Sequence, residues 1–306
     1  MSDSKKHHYL SQFYLAGFTL TNSKEGKLFC FNINNNQTRP SKPINEAYVK
    51  YFNIIESNKD EPDKLEKELS KLEGPVSELF KDIEKNTKFP KPKDFDTLLY
   101  YVALISIRNP AIRNIFQELQ ENIATRRFEL MISDKKIWLS EMDKINKMSN
   151  NKFKDITYEE TKRFFQKNKF TLIEPNENKI IREFESVNRV HQLLKKRKWS
   201  LLLNDFNDNY FVTSDRPVKV LPDDLTKKTF RIGFGTRNTN LYFPLSKNVL
   251  LQGSYELPSA IVNIPKDSIA AMNKIQFFYT SRFIYSPTPE FIVVGRNGLI
   301  INSSAI

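Results

Sequence analysis

The chain has 306 residues, of which 39% are hydrophobic and 12% aromatic, so it can bury a sizeable core. Its one cysteine excludes an internal disulfide and a cysteine-based zinc cluster, and its 8 glycines argue against a glycine-rich cofactor loop. The formal charge of +12 and the pI near 9.5 favour a polyanionic partner such as nucleic acid, although a lysine-rich coding bias explains the same charge equally well.

The beginning of the chain and its apolar runs bear on location. The polar residues 1–6 do not lead into an apolar signal core. No apolar run approaches the roughly 20 residues that span a bilayer. We therefore expect a cytoplasmic protein without a membrane partner or a disulfide-linked partner. The sequence identifies no cofactor and leaves the oligomeric state open.

An aromatic segment, residues 7–18, opens the chain. It contains two histidines, one glutamine and four aromatic residues. A segment this aromatic is expected to be buried, which carries its polar side chains into the interior or into a cleft, where they need hydrogen-bond partners. We predict that this segment lines the functional site.

A β-hairpin and then a helical region follow. Residues 27–32 read as a strand, and the asparagines at 34–36 predict the turn to a second strand. From Asp60 onwards, apolar residues recur at spacings of three and four, which is typical of amphipathic helices. Gly74-Pro75 is expected to kink or divide the first helix, and Arg108-Asn109-Pro110 to interrupt the next.

After residue 198 the period of the pattern changes from helix to strand. We predict that residues 199–204 and 210–215 form paired strands. The later predictions are short strands at 230–234, 240–244 and 249–252, a helix from 265 to about 283, and a closing hairpin over 291–301.

These elements predict an α+β fold. A helical middle layer, about residues 60–198, is inserted between the N-terminal β-hairpin and a C-terminal, mostly antiparallel sheet within residues 199–306. We expect a single domain over 1–306.

Several motifs occur together in a fixed order. They are His8–Leu15 followed by Phe18, Ile107–Arg113, Phe211–Val218, Tyr242–Ser246 and Ala271–Asn273. This ordered set resembles the bacterial family known as the domain of unknown function numbered 4238, and the resemblance spans nearly the whole chain. One departure is Ser11, where the family usually has a proline. The resemblance implies no established activity.

The first motif carries candidate catalytic residues. His8 and Gln12 are four residues apart, which places them on one face of a helix. A histidine acts as an acid or a base near neutral pH, and a glutamine can hold a water or a phosphate oxygen. The alternative is that buried hydrogen bonds pin the segment in place. The three histidines show no metal-ligand spacing, so no metal site is predicted.

The later motif Ser214-Asp215-Arg216-Pro217 ends a predicted strand. Asp215 is our third candidate catalytic residue, because a carboxylate at a strand end can orient His8 as in triad-like sites. The alternative is that Asp215 caps the turn. Ser214 is not predicted as a nucleophile, since no Gly-x-Ser-x-Gly elbow surrounds it.

Arginines supply candidate phosphate-binding groups. We predict this role for Arg108, Arg113 and Arg216, because guanidinium groups bind phosphate bidentately. Buried salt bridges are the alternative for the first two, and pairing with a nearby acid is the alternative for Arg216. Residues 195–198 are all cationic, and we interpret them as complementing a helix dipole in preference to an anion site.

Three functions are consistent with these residues. The first is a nuclease-like protein in bacterial stress or phage defence, with phosphate held by arginine and proton transfer by His8. The alternative is a non-catalytic module that binds nucleic acid or an anionic ligand. The third is a protein-interaction component in which the motifs are structural.

Overall fold

A computed structural model describes residues 6–167, 174–204, 209–224 and 232–306. Helices occupy the middle of the chain and strands its ends, so the α+β prediction is confirmed. The helices are α1 Gln12–Ala16, α2 Lys64–Asn86, α3 Pro92–Ile107, α4 Pro110–Ser133, α5 Lys135–Met148, α6 Tyr158–Lys167, α7 Asn176–Leu194 and α8 Lys266–Gln276. The strands are β1 Lys6–His8, β2 Leu28–Asn32, β3 Gln37–Ser41, β4 Tyr48–Lys50, β5 Lys198–Leu203, β6 Thr213–Ser214, β7 Lys219–Pro222, β8 Thr239–Pro244, β9 Val249–Ser254, β10 Ile261–Asn263, β11 Phe283–Ser286, β12 Ile292–Val294 and β13 Ile300–Asn302.

The chain forms two compact units. Unit 1 comprises Met1–Pro110 and Asn176–Ile306, and unit 2 comprises Ala111–Pro175. The helical middle expected over 60–198 is thereby divided, because its first and last helices belong to unit 1. The single domain stays a prediction.

Two larger sheets and two pairs of strands lie in unit 1. The five-stranded sheet has the order β10-β5-β9-β8-β7 and is antiparallel except for the parallel pair of β10 with β5. The four-stranded sheet has the order β3-β2-β11-β6 and is antiparallel throughout. The additional pairs are β1 with β4 and β12 with β13. The predicted hairpin of β2 with β3 and the closing hairpin are both confirmed.

Strand pairing in the C-terminal part corrects one prediction. Residues 210–215 were expected to pair with 199–204, but β5 pairs with β9 and β10, while β6 pairs with β11. Pairing partners are chosen by packing across long sequence separations, which a local turn signal does not report. Of the strand expected at 230–234, residues 230 and 231 lie outside the described residues, and 232–234 are not a strand.

The helices correct two further predictions. Of the kink or division expected at Gly74-Pro75, the division is wrong, because helix α2 continues through both residues, and the kink stays a prediction. The apolar stripe of α2, Leu69, Val76, Phe80 and Ile83, is buried. Helix α8 ends at Gln276 instead of about 283. Residues 277–282 form a turn and an irregular connection, and β11 then begins at Phe283 and pairs with β2. The apolar continuation of α8 is therefore a strand that packs in the four-stranded sheet.

Each unit has its own apolar core. In unit 1, Phe211, Leu250 and Ile269 form one buried cluster that joins the five-stranded sheet to α8. In unit 2, Met131, Trp138 and Met142 form a smaller one. Within the described residues, no helix has the length and hydropathy of a segment that crosses a membrane.

Replacing glycine by alanine is expected to affect the free energy of unfolding differently at two positions, Gly253 and Gly74. In Gly253→Ala the new Cβ would lie 2.6 Å from Cζ3 of Trp199, its cross-strand partner, so we expect a loss of about 1–3 kcal/mol in the free energy of unfolding. A Cβ at Gly74, inside α2, meets no atom within 4 Å apart from its chain neighbours. Gly74→Ala should change the free energy of unfolding by less than about 1 kcal/mol, because the gain in helix propensity is opposed by contact of the new Cβ with the ring of Pro75. Urea unfolding of both variants tests this, and equal shifts would contradict it.

Candidate active site

The N-terminal motif is anchored to the C-terminal strands by Tyr14. This fully buried ring stacks on Phe243, with 5.4 Å between centroids and 13° between planes. Its hydroxyl donates to the carbonyl of Pro244 at 2.9 Å and lies 2.6 Å from Oγ1 of Thr213. Because Tyr14, Thr213 and Phe243 each come from a different motif, the motifs converge in the fold as well as follow in order.

His8 is held by both nitrogens of its ring. Nδ1 lies 3.0 Å from the carbonyl oxygen of Glu46, which only accepts, so we assign the proton to Nδ1. Nε2 then accepts a hydrogen bond from the Gln12 amide at 3.0 Å. Burial of the half-buried ring lowers the pKa of His8 below its ordinary value of 6.5. The lowered pKa favours the neutral ring, whose basic lone pair is on Nε2.

Arg108 and Asn109, in the break between α3 and α4, join the two ends of the chain. The buried Arg108 guanidinium donates from Nη2 to the carbonyl of His8 at 3.0 Å and to Oε1 of Glu66 at 3.4 Å. The Asn109 amide donates to the carbonyl of Asp215 at 2.7 Å. The interruption predicted from the sequence thus positions the N-terminal and C-terminal motifs together.

Helix α2 adds two carboxylates, from Glu66 and Glu73. They lie seven residues apart, so two turns of helix bring them to one face. Oε1 of Glu73 accepts a hydrogen bond from the Ser11 hydroxyl at 2.5 Å. Burial raises the pKa of Glu73 above its ordinary 4.5, while the Ser11 hydrogen bond and the charge of Arg108 oppose the rise. Glu73 therefore holds its proton to a higher pH than a free glutamate.

Sequence reasoning missed these two carboxylates. We found no spacing that singled out Glu73 as part of a catalytic pair. A signal was present, because Glu66 and Glu73 share a helix face with the buried residues Leu69, Val76 and Phe80. Acidic residues within an apolar stripe need polar partners, and that need could have marked them.

His7 is a supporting residue. Its side chain is 1% exposed, and Nδ1 accepts a hydrogen bond from the backbone N–H of Asn53 at 2.9 Å. The Asn53 amide in turn donates to Glu66. His7 therefore stabilises the turn that holds Glu66 in place.

Asp215 is engaged by backbone and not by His8. Its buried carboxylate accepts hydrogen bonds from the N–H groups of Ser281, Arg282 and Phe283, at 2.9, 2.6 and 3.0 Å. The expected orientation of His8 by Asp215 is wrong, because the carboxylate is directed at these backbone donors and both nitrogens of the His8 ring have other partners. The contacts of Asp215 agree with the alternative role, in which its side chain caps backbone N–H groups.

The remaining candidate residues lie in different places. Arg216 is half-buried next to Asp215, and burial lowers its pKa while the Asp215 charge opposes that shift. Arg113 is buried on α4 in unit 2, whereas the other five candidates belong to unit 1. The structure brings His8, Gln12 and Arg108 into one hydrogen-bonded group. The catalytic and phosphate-binding roles of all six stay predictions.

Other motif residues have structural contacts. The Ser214 hydroxyl donates to Oε1 of Gln276 at 3.2 Å, and Oδ1 of Asn273 accepts the backbone N–H of Val212 at 2.9 Å. These contacts join β6, and the residue Val212 just before it, to α8. Among the residues that the structure describes, no group of three or more His, Cys, Asp or Glu side chains could hold a metal ion.

Comparisons with known proteins identify the family but no characterised relative. Neither the curated proteins nor the solved structures contain a match. The model of the family described as "Protein of unknown function (DUF4238)" matches residues 6–290. This span includes every motif on which we based the resemblance. The chain therefore belongs to the DUF4238 family.

Proposed function

We propose that this protein cleaves phosphodiester bonds in nucleic acid, with RNA as the preferred substrate. One observation carries the proposal: the buried guanidinium of Arg108 donates to the backbone carbonyl of His8, and its charge acts both on the imidazole of His8, whose pKa burial lowers, and on the carboxyl group of Glu73, whose pKa burial raises. A base, an acid and a fixed positive charge are what this reaction requires. RNA is preferred because it supplies its own nucleophile, the 2′-hydroxyl.

The proposed chemistry assigns one step to each group. Nε2 of His8 takes the proton of the 2′-hydroxyl, which replaces the Gln12 amide at that nitrogen. The 2′-oxygen attacks phosphorus, and Glu73 gives its proton to the departing 5′-oxygen. The charge of Arg108 stabilises the negative charge that develops on the phosphoryl oxygens. The products are a 2′,3′-cyclic phosphate and a 5′-hydroxyl end.

The net charge of +12 supports the same substrate class, because a basic protein attracts a polyanion at long range. It supports equally a module that binds nucleic acid without cleaving it. For such a module the affinity would fall with added salt and no product would form. A setting in bacterial stress or phage defence stays a prediction.

Labelled RNA and DNA of the same sequence test the proposal. We expect wild type to cleave RNA, and His8→Ala to lower the rate by about 10²- to 10⁴-fold. Thermal unfolding of the variant confirms that it remains folded. Salt-sensitive binding without product would replace the proposal with the binding module. Equal cleavage by wild type and His8→Ala would overturn it.

A further inference from the structure

A pocket in unit 1 is lined by none of the candidate active-site residues. It has a volume of 490 Å³, within the range of small-molecule sites. It lies between the approach to α3, the first turns of α3 and the junction of α7 with β5. Its lining combines aromatic rings with cationic side chains.

Three aromatic rings form its apolar wall. Phe89 and Phe95 meet edge to face at 5.7 Å, and Phe95 meets Trp199 in the same way at 6.2 Å. Trp199 is immobilised because its Nε1 donates to the carbonyl of Leu194 at 3.1 Å and its ring lies against Gly253. The wall is therefore formed before any ligand arrives, which reduces the entropic cost of binding.

The lining also carries positive charge. Lys195, Arg197 and Lys198 line the pocket together with a single carboxylate, that of Asp96. Lys195 pairs with Asp96 at 3.0 Å, which leaves an excess of positive charge. The exposed Lys198 lies at the beginning of β5, next to Trp199.

Arg197 adds positive charge to the pocket lining, but the hydrogen bonds of its guanidinium go to backbone carbonyls of the protein. Its guanidinium is buried and donates to the carbonyls of Thr239, Gly253 and Phe234 at 2.8, 3.1 and 2.9 Å. Of the cationic run at 195–198, which we interpreted as complementing a helix dipole, Arg197 thus anchors β8 and β9, and Lys195 and Lys198 remain at the pocket.

We propose that this pocket binds a mononucleotide. The heteroaromatic base would contact the rings of Phe89 and Phe95, and the phosphate would lie at Lys198 and Lys195. Base–aromatic contacts tolerate any base, so base selectivity is expected to be weak. This inference does not depend on the proposed cleavage of RNA.

Isothermal titration with AMP, adenosine and ribose 5-phosphate tests the inference on the full chain. AMP should bind more tightly than either fragment. Lys198→Gln should weaken AMP about fivefold and leave adenosine unchanged. Phe95→Leu should weaken AMP and adenosine alike, by about tenfold. His8→Ala should bind AMP as wild type does, which separates this pocket from the candidate active site.

Lys196→Gln is the matched control, because Lys196 is an exposed neighbour that does not line the pocket. Equal weakening of AMP by Lys196→Gln and Lys198→Gln would overturn the inference in favour of diffuse charge attraction. Ribose 5-phosphate binding as tightly as AMP would overturn it in favour of a simple anion site. Absence of AMP binding at millimolar concentration would also overturn it.

Discussion

Asp215→Ala is expected to lower the free energy of unfolding by about 3–5 kcal/mol. The substitution removes the buried carboxylate that accepts hydrogen bonds from three part-buried backbone N–H groups, at residues 281–283. A hydrogen bond to a charged acceptor contributes about 1.5–3 kcal/mol, and water replaces part of that contribution at the exposed residues Ser281 and Arg282. These donors lie at the entrance to β11, which pairs with both β2 and β6, so the damage affects the centre of the four-stranded sheet. Urea unfolding followed by circular dichroism measures the loss.

Two variants give this prediction its controls. Asp215→Asn keeps one acceptor oxygen and should lose less stability than Asp215→Ala. Glu290→Ala removes an exposed carboxylate from the same part of the chain and should change stability by less than about 0.5 kcal/mol. If Asp215→Ala unfolded like wild type yet had lost cleavage activity, the contacts would not be its main role and our original catalytic assignment would stand.

Glu73→Gln should reduce RNA cleavage by about 10²- to 10⁴-fold, because an amide cannot donate the proton that the leaving oxygen needs. The pH dependence of the cleavage rate tests whether Glu73 is the group that donates this proton. In wild type the rate rises as His8 loses its proton, at a pKa that burial lowers below 6.5. The rate falls as Glu73 loses its own, at a pKa that burial raises above 4.5. Glu73→Gln should keep the rising limb and lose the falling limb.

Ser11→Ala is expected to shift the falling limb of the pH–rate profile, which Glu73→Gln should remove. The hydrogen bond from Ser11 lowers the pKa of Glu73, so its removal should move the falling limb to higher pH. Glu68→Gln is the matched control on α2, since Glu68 is exposed and pairs with Lys71 at the surface. A falling limb that remained in Glu73→Gln would show that another group is the acid.

The active-site candidates divide according to how each could be found. His8, Gln12 and Arg108 were visible in the sequence, because aromatic and proline-linked motifs marked their segments for burial. For Glu66 and Glu73 the only signal was their position in the apolar stripe of α2, because their carboxylates approach Arg108 and Ser11 only after α2 has packed against the N-terminal segment. The same applies to Glu46, which contributes a backbone carbonyl to His8 and so carries no side-chain signal.

The sequence by itself determined the elements that depend on neighbours along the chain. The asparagine turn between β2 and β3, the proline break at residues 108–110, the stripe of α2 and the closing hairpin all follow from local backbone preference and hydrophobic period. The ordered motifs also determined the family. Only the tertiary structure decided which strands pair with β5, where α8 ends and which backbone N–H groups donate to the carboxylate of Asp215. Each of these depends on which distant groups compete for the same hydrogen bonds, and that competition is resolved when the chain packs.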